Sequence, residues 1–187
     1  KIFAENHPEF HVNVSALEKV QPKELSASEI EIRIGATWID TKYMEDFMRE
    51  TFKTPKYLFL GNIMGVQYSN ITGQWNIKGK STDHGNMLVN VTYGTKRANA
   101  YKILEDSLNL RDTRIFDTVI EDGKEKRVLN KRETMLADQK QESIREAFKN
   151  WIFQDPERRQ ALCTKYNQLF NATRPREYDG SHLTFPG

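Results

Sequence analysis

The residues with the clearest capacity for chemistry are two histidine arrangements. His7 and His11 have the i, i+4 spacing that a metal-binding helix could use, but Pro8 and the position near the terminus favour an ordinary terminal segment. Asp83 and His84 are adjacent in a glycine-rich turn, a place where catalytic residues occur, although an exposed turn histidine is far commoner than a general base. We therefore expect no metal site, and a small hydrolase at Asp83 and His84 remains a minor alternative.

Motifs for nucleotide and cofactor chemistry are missing from the sequence. There is no glycine-rich phosphate loop that ends in Gly-Lys-Ser/Thr, and there is no Rossmann fingerprint. The single Cys163 excludes an internal disulfide and a multi-cysteine zinc site, and its place on an apolar helix stripe favours a small hydrophobic role. The sequence predicts a chain with no catalytic residue, no metal and no cofactor of its own, in a reducing, cytoplasmic setting.

Basic residues are concentrated in the second half of the chain. The net charge is only +2, but residues 124–176 hold thirteen Lys and Arg against seven Asp and Glu. Such a bias is a weak signature of a partner that carries phosphates, and a solvated helical surface explains it slightly better. If the partner is DNA, the candidate contacts are Lys124, Lys126, Arg127, Lys131, Arg132, Arg158, Arg159, Arg174 and Arg176.

Aromatic residues indicate a second way in which the chain could bind nucleic acid. Many proteins that bind single strands stack bases on aromatic rings beside basic side chains. Rings and cations of this kind are interleaved at Trp38, Tyr68, Trp75, Lys78, Lys80, Tyr93, Lys96 and Arg97. The alternative, in which these rings form the core of a small mixed domain, is favoured.

The sequence patterns predict an α+β protein as the scaffold that positions these residues. It begins with a mixed domain of short strands and helices over residues 1–130. Alternating isoleucines predict a half-buried strand at residues 30–34, and Asp40 predicts the N-cap of an amphipathic helix. Glycine-punctuated alternation predicts short strands within residues 59–93, with Met87, Val89 and Val91 at alternating positions.

The second half of the chain gives sharper signals. Asp122-Gly123 between two apolar runs predicts a β-hairpin over residues 115–129. A long helical hairpin is expected over residues 131–171, with Asp155-Pro156 as the cap and first position of its second helix. Residues 172–187 have neither a helical nor an alternating period, which predicts an extended connector.

Three segments resemble one family of large mobile-element proteins from phages and plasmids. These are residues 30–40, residues 133–170 and the sequence from Arg174-Pro175-Arg176 to Pro186-Gly187. The family joins an N6-adenine DNA methylase-like region to a Snf-type superfamily II helicase, and the three segments occur in the same order there. The resemblance spans most of the chain and implies a place between the methylase and helicase parts.

The resemblance implies a function by position, since the chain lacks the methylase and helicase catalytic motifs. It implies a non-catalytic accessory module that contacts DNA or couples the flanking helicase and methylase domains, whereas ATP and Mg²⁺ belong to the parent helicase. The alternative is a purely structural spacer that docks on the helicase core. The sequence begins with Lys1, which is consistent with a domain fragment. No apolar run approaches the ~20 residues of a membrane span.

Overall fold

The computed structural model describes residues 7–121 and 123–173 of the 187-residue chain. Its helices are α1 (His11–Val20), α2 (Thr41–Thr51), α3 (Lys56–Leu60), α4 (Ala100–Leu108), α5 (Lys131–Ile152) and α6 (Pro156–Phe170). Its strands are β1 (Gly65–Ser69), β2 (Gln74–Lys78), β3 (Phe116–Glu121) and β4 (Lys124–Leu129), paired as two antiparallel sheets, β1–β2 and β3–β4. The predicted α+β class is confirmed. None of the described helices is long and apolar enough to cross a membrane.

The described residues form two compact units, Glu31–Arg159 and a smaller one that joins residues 7–30 to residues 160–173. In the smaller unit, the side chain of Asn167 on α6 accepts from the backbone N–H of Leu25 and donates to its carbonyl, at 2.8 and 2.9 Å. Asn171 donates to the carbonyl of Lys23. The segment before Ile30 is therefore held to α6 by side-chain amides instead of by a regular element.

An aromatic cluster lies at the centre of the larger unit. Phe47 on α2 contacts Phe52, Phe148 and Trp151 edge-on, with each pair of ring centroids 5.3 Å apart. Phe148 and Trp151 lie three residues apart on one face of α5, and burying the four rings favours packing of α5 against α2. Leu136, nearer the start of α5, is 39% exposed and lies outside this cluster.

The long helix α5 belongs to the larger unit, which differs from the predicted division at residue 130. The side chain of Gln141 is buried on α5, where its oxygen accepts from the N–H of Thr113 and its nitrogen donates to the carbonyl of Arg111. Phe148 joins the aromatic cluster with Phe47. These contacts fasten α5 to the mixed region that precedes it. Of the predicted connector, residues 172–187, the part after residue 173 lies outside the described residues.

Helix side chains bind both outer edges of the β1–β2 hairpin. Glu45 on α2 accepts from the N–H of Val66 in β1 at 3.0 Å. On the β2 side, Glu105 accepts from the N–H of Ile77 at 2.7 Å, and Asn109 pairs with both the N–H and the carbonyl of Trp75. The hairpin is thereby completed by side chains in place of neighbouring strands.

Two predicted strands are wrong. Residues 30–34 form no strand, although Ile30 and Ile34 are buried, and the chain turns at Gly35, whose φ of +85° suits glycine. The positions of Met87, Val89 and Val91 fall in or beside a π-helical turn, Leu88–Thr92. The side-chain oxygen of Asn86 accepts from the backbone N–H groups of Leu88 and Val89, two and three residues further on. These bonds start a helical turn there.

Candidate nucleic-acid interface

The β3–β4 ribbon, Phe116–Leu129, is called the arm. Its register pairs Phe116 with Leu129 and Glu121 with Lys124, so two residues connect the strands, as the Asp-Gly signal predicted. Gly123 has a φ of +70°, the left-handed conformation that such short connections require. Among the described arm residues, all but the half-buried Asp117 are exposed. The arm therefore offers two solvent-facing sides, in contrast to β1–β2.

Strand alternation sorts the arm side chains onto two faces, because successive residues point to opposite sides and paired residues share a side. The Arg127 face consists of Phe116, Thr118, Ile120, Glu125, Arg127 and Leu129. The Lys126 face consists of Asp117, Val119, Glu121, Lys124, Lys126 and Val128. The three arm cations that the sequence grouped together thus lie on opposite sides of one ribbon.

The two faces hold their cations differently. On the Lys126 face, the ammonium of Lys126 lies 2.6 Å from a carboxylate oxygen of Glu121, and both side chains are 62% exposed. On the Arg127 face, the guanidinium of Arg127 lies over the ring of Phe116, 4.8 Å from its centroid. Stacking on a ring restricts a planar guanidinium without using its hydrogen-bond donors. Arg127 therefore keeps its donors available for a ligand.

The base of the arm is fixed by hydrogen bonds to Arg97 and Asn130. Arg97 donates from Nη1 to Oδ1 of Asp117 at 2.7 Å and from Nη2 to the carbonyl of Phe116 at 2.9 Å. Asn130 donates to the other carboxylate oxygen of Asp117 at 2.7 Å. These two donors, Arg97 first, lower the pKa of Asp117 below its ordinary value. The arm is thus anchored at one end through its single half-buried side chain.

Asn130 also sets the start of α5 directly beyond the arm. Its side-chain oxygen accepts from the N–H of Glu133 at 3.0 Å, and its own N–H donates to the carbonyl of Ile115 at 2.9 Å. The Asn-x-x-Glu spacing of Asn130 and Glu133 is a capping signal that the sequence carries and that our sequence analysis did not use. The cap places the exposed side chains of Lys131 and Arg132 in the first helical turn, next to the arm.

Four of the predicted contact residues are exposed cations of this region. Lys124 and Arg127 lie on the arm, and Lys131 and Arg132 on the first turn of α5. Within residues 7–121 and 123–173, no carboxylate forms an ion pair with any of the four. The structure therefore places four solvent-exposed cations along the arm and at its base, with the paired Lys126 also on the arm.

Arg158, another predicted contact residue, is buried at the end of α5 and binds the backbone. Its side chain is 8% exposed, and its guanidinium lies 3.6 Å from the centroid of the Trp151 ring. Nε donates to the carbonyl of Ile152 at 3.0 Å, and Nη2 donates to that of Trp151 at 2.8 Å. Nη1 lies 3.6 Å from the carboxylate of Glu50. Arg158 thus binds two carbonyls at the C-terminal end of α5, which leaves it unavailable to an external phosphate.

The remaining predicted contacts do not join the arm set. Arg159 is exposed on the first turn of α6, which is a separate helix. Arg174 and Arg176 lie outside the described residues, together with most of the predicted connector.

The Asp83 turn is held by a polar network. Asp83 accepts from the hydroxyl of Tyr101 and from the amide of Asn86, both at 2.8 Å. The Tyr101 hydroxyl also contacts that of Thr54 at 2.7 Å. Burial raises the pKa of Tyr101 above its ordinary value, with Asp83 adding to the shift. His84 is exposed beside this network. The bonds fasten the turn to α4, which is a structural use of Asp83.

The other early candidates are also placed by the structure. Trp75 is buried and its ring centroid lies 4.9 Å from that of Tyr68, so this pair packs in the core. His7 precedes the short 3₁₀ turn Pro8–Phe10, and its ring contacts Glu9 at 3.1 Å. His11 begins α1, so the two histidines do not share one α-helix.

The fold and the site define a class of protein. It is a small α+β domain with an exposed two-stranded arm that leads into a long helix. Residues 33–172 match the model of a family described as a domain of unknown function, DUF8437. The chain belongs to this family, and the match includes the arm and the whole of α5. Neither a curated protein nor a solved structure matches the chain.

Proposed function

We propose that this chain is a non-catalytic accessory module that contacts DNA through the arm and the first turn of α5. The observation that carries the proposal is the exposed ribbon, which is anchored at its base and is continuous with two exposed helical cations, Lys131 and Arg132. A two-stranded ribbon is one of the elements that fit a DNA groove. The described helices supply further cations, but none of those is presented on so open an element.

The distribution of charge supports the same surface when charges held in ion pairs or hydrogen bonds are counted apart from the others. The arm holds Lys124, Lys126 and Arg127 against four acids, so its net charge alone does not attract DNA. Two of those acids are occupied, Asp117 by Arg97 and Asn130, and Glu121 by Lys126. The remaining cations are Lys124, Arg127, Lys131 and Arg132, against the two other acids of the arm, and phosphate contacts of up to this number would give moderate, salt-sensitive binding.

The larger context of the proposal comes from the family resemblance of the sequence. In it, the module belongs to a cytoplasmic Snf-type helicase/methylase polypeptide of a phage or plasmid, and it positions DNA for the flanking catalytic domains. ATP and Mg²⁺ serve the parent helicase. The chain itself supplies no catalytic group in this proposal.

The test is fluorescence anisotropy of labelled DNA with the 187-residue chain and a variant, at low and near-physiological salt. The variant replaces Lys124, Arg127, Lys131 and Arg132 by Glu. We expect the unaltered chain to bind with an affinity that falls steeply with salt, and the variant to lose binding. Acidic residues in a first helical turn interact favourably with the helix dipole, so the changes at Lys131 and Arg132 leave α5 intact.

A matched control separates local contact from net charge. It replaces four exposed lysines that belong neither to the arm nor to the first turn of α5, Lys19, Lys23, Lys56 and Lys149, by Glu. Both variants change the net charge by the same amount, so only a local contact makes them differ. Equal losses would indicate a nonspecific charge effect, and no binding by the unaltered chain at low salt would refute the proposal.

Apolar arm residues favour a second candidate, a spacer that docks on the helicase core. Val119, Ile120 and Val128 are 46%, 77% and 44% exposed, and a solvated arm gains nothing from them. Replacing Val119 and Val128, which lie on the Lys126 face, by Thr, which keeps β-branching, separates the candidates. A docking arm loses association with the helicase part, measured by light scattering, while salt-dependent DNA binding stays as in the unaltered chain.

A further inference from the structure

We infer that the arm enters the major groove of double-stranded DNA with its Arg127 face against the base edges. The inference rests on the proposed DNA contact and adds the form of DNA, the groove and the orientation of the ribbon. The major groove is about 12 Å wide and accepts a two-stranded ribbon. An arm of six residue pairs, at roughly 3.4 Å a residue, is about 20 Å long and extends along several base pairs.

The direction of the backbone groups supports this placement. The carbonyl of Phe116 accepts from Arg97, so it points away from β4 at the outer edge of the ribbon. In an antiparallel pair, inward and outward backbone groups alternate residue by residue. The outward N–H groups near the tip therefore belong to Thr118 and Ile120 on one edge, and to Glu125 and Arg127 on the other. Inside a groove, these donors face the phosphates on both walls.

The side chains of the Arg127 face have the chemistry of base readout. An arginine donates in bidentate fashion to guanine O6 and N7, a glutamate accepts from the cytosine amine, and apolar groups contact the thymine methyl. Arg127, Glu125 and Ile120 supply one group of each kind, and all three are exposed. Stacking of Arg127 on Phe116 holds the planar guanidinium before DNA arrives, which lowers the entropy cost of a bidentate contact.

The opposite face is less suited to the bases. It carries two carboxylates, Asp117 and Glu121, against one on the Arg127 face. Asp117 is used to anchor the arm, and Lys126 is held at 2.6 Å by Glu121. With the Arg127 face inward, these carboxylates point away from the DNA, and Lys124 and Lys126 remain at the margin of the groove.

The experiment selects bound sequences from a randomised duplex pool with the unaltered chain and with Arg127→Lys. The substitution keeps the charge but removes the planar, bidentate donor. We expect the unaltered chain to enrich a guanine at a fixed position, and Arg127→Lys to bind that duplex roughly 5- to 150-fold more weakly. Because the charge is kept, its affinity for a random duplex should fall far less than its affinity for the enriched duplex. Lys126→Arg on the opposite face is the matched control and should leave the enriched sequence as it is.

A second measurement identifies the groove. Replacing the enriched guanine by 7-deazaguanine removes the N7 acceptor from the major groove alone. It should weaken binding by the unaltered chain and have no further effect on Arg127→Lys. DNA binding with no enriched guanine, with no response to 7-deazaguanine, or with equal affinity for single strands would overturn the inference while the DNA contact stands. If no DNA binds at all, the proposed function fails with it.

Discussion

Arginines that look alike in the sequence differ most sharply at the scale of single residues. Arg127 is exposed, and its guanidinium rests on Phe116 with its donors free for a ligand. Arg158 has a closer ring contact, with Trp151, but its donors are taken by backbone carbonyls at the end of α5. The difference follows from what lies beside each arginine, because the last carbonyls of a helix lack intrahelical donors and Arg158 lies beside the end of α5. Charge counting cannot separate a ligand-binding arginine from a structural one.

This difference predicts that Arg158 contributes to stability and has no part in DNA binding. Arg158→Ala removes the guanidinium donors to the carbonyls of Trp151 and Ile152 and the buried cation beside Glu50, so the free energy of unfolding should fall by about 2–4 kcal/mol. Urea unfolding followed by tryptophan fluorescence measures the loss. Affinity for DNA at a temperature where the variant is folded should equal that of the unaltered chain.

The neighbouring exposed Arg159 provides the control for this prediction. Arg159→Ala should change the unfolding free energy by no more than about 0.5 kcal/mol, as is usual for a surface position. If Arg158→Ala proved as stable as Arg159→Ala, the hydrogen bonds to the end of α5 would have no net value and the structural assignment would be wrong.

The two β-hairpins illustrate, at the scale of elements, how one local fold is used in two ways. Side chains of α2, α4 and the residue after α4 bind both edges of β1–β2, through Glu45, Glu105 and Asn109. The arm receives such contacts at its base, from Arg97 and Asn130. Open strand edges favour unwanted pairing with other chains, and natural proteins usually cover or charge them. An edge left open along most of its length is consistent with a binding role.

Asn130 couples the arm to α5, and this coupling can be measured. Asn130→Ala removes the N-cap of α5 and the donor to Asp117, so the unfolding free energy should fall by about 1–2 kcal/mol. Amide hydrogen exchange in the arm should also accelerate. Asn130→Ser restores a capping oxygen but does not reach Asp117. We therefore expect it to recover most of the stability while the arm amides still exchange rapidly. If the serine variant protected the arm fully, Asp117 would not be the anchor.

Sequence reasoning succeeded for elements whose signals are local. Asp122-Gly123 predicted the arm, and Asp155-Pro156 predicted the start of α6 at the observed residue. It failed for residues 30–34, because alternation requires a partner strand that this segment does not have. The capping side chain of Asn86 overrode a strand pattern in the same way.

The candidate site was predictable only in part. Lys124, Arg127, Lys131 and Arg132 were found from composition, but their division between two faces of a ribbon depends on the register. The contact between Arg97 and Asp117 joins residues 20 positions apart, and no spacing rule indicates it. Burial of Arg158 likewise depends on packing between distant parts of the larger unit, through Glu50.

At the scale of the whole molecule, the fold and the arm should be separable. The core of the larger unit is built from α2, α4, α5 and β1–β2, and the arm side chains add little to it because they are exposed. We predict that replacing residues 117–128 by Asn-Gly leaves the domain folded, since paired strand residues such as Phe116 and Leu129 are about 5 Å apart and a two-residue connection closes that gap.

The shortened chain should retain the far-ultraviolet circular dichroism of its helices and a cooperative thermal transition, with a free energy of unfolding within roughly 1 kcal/mol of the original. Its DNA affinity at low salt should fall further than that of Arg127→Lys, because phosphate contacts and base contacts are removed together. Lys131 and Arg132 remain in place, so residual binding should show a shallower dependence on salt, with fewer phosphates contacted. Unchanged affinity in a folded, shortened chain would transfer the DNA contact from the arm to the helices, whereas loss of the cooperative transition would make the arm part of the fold.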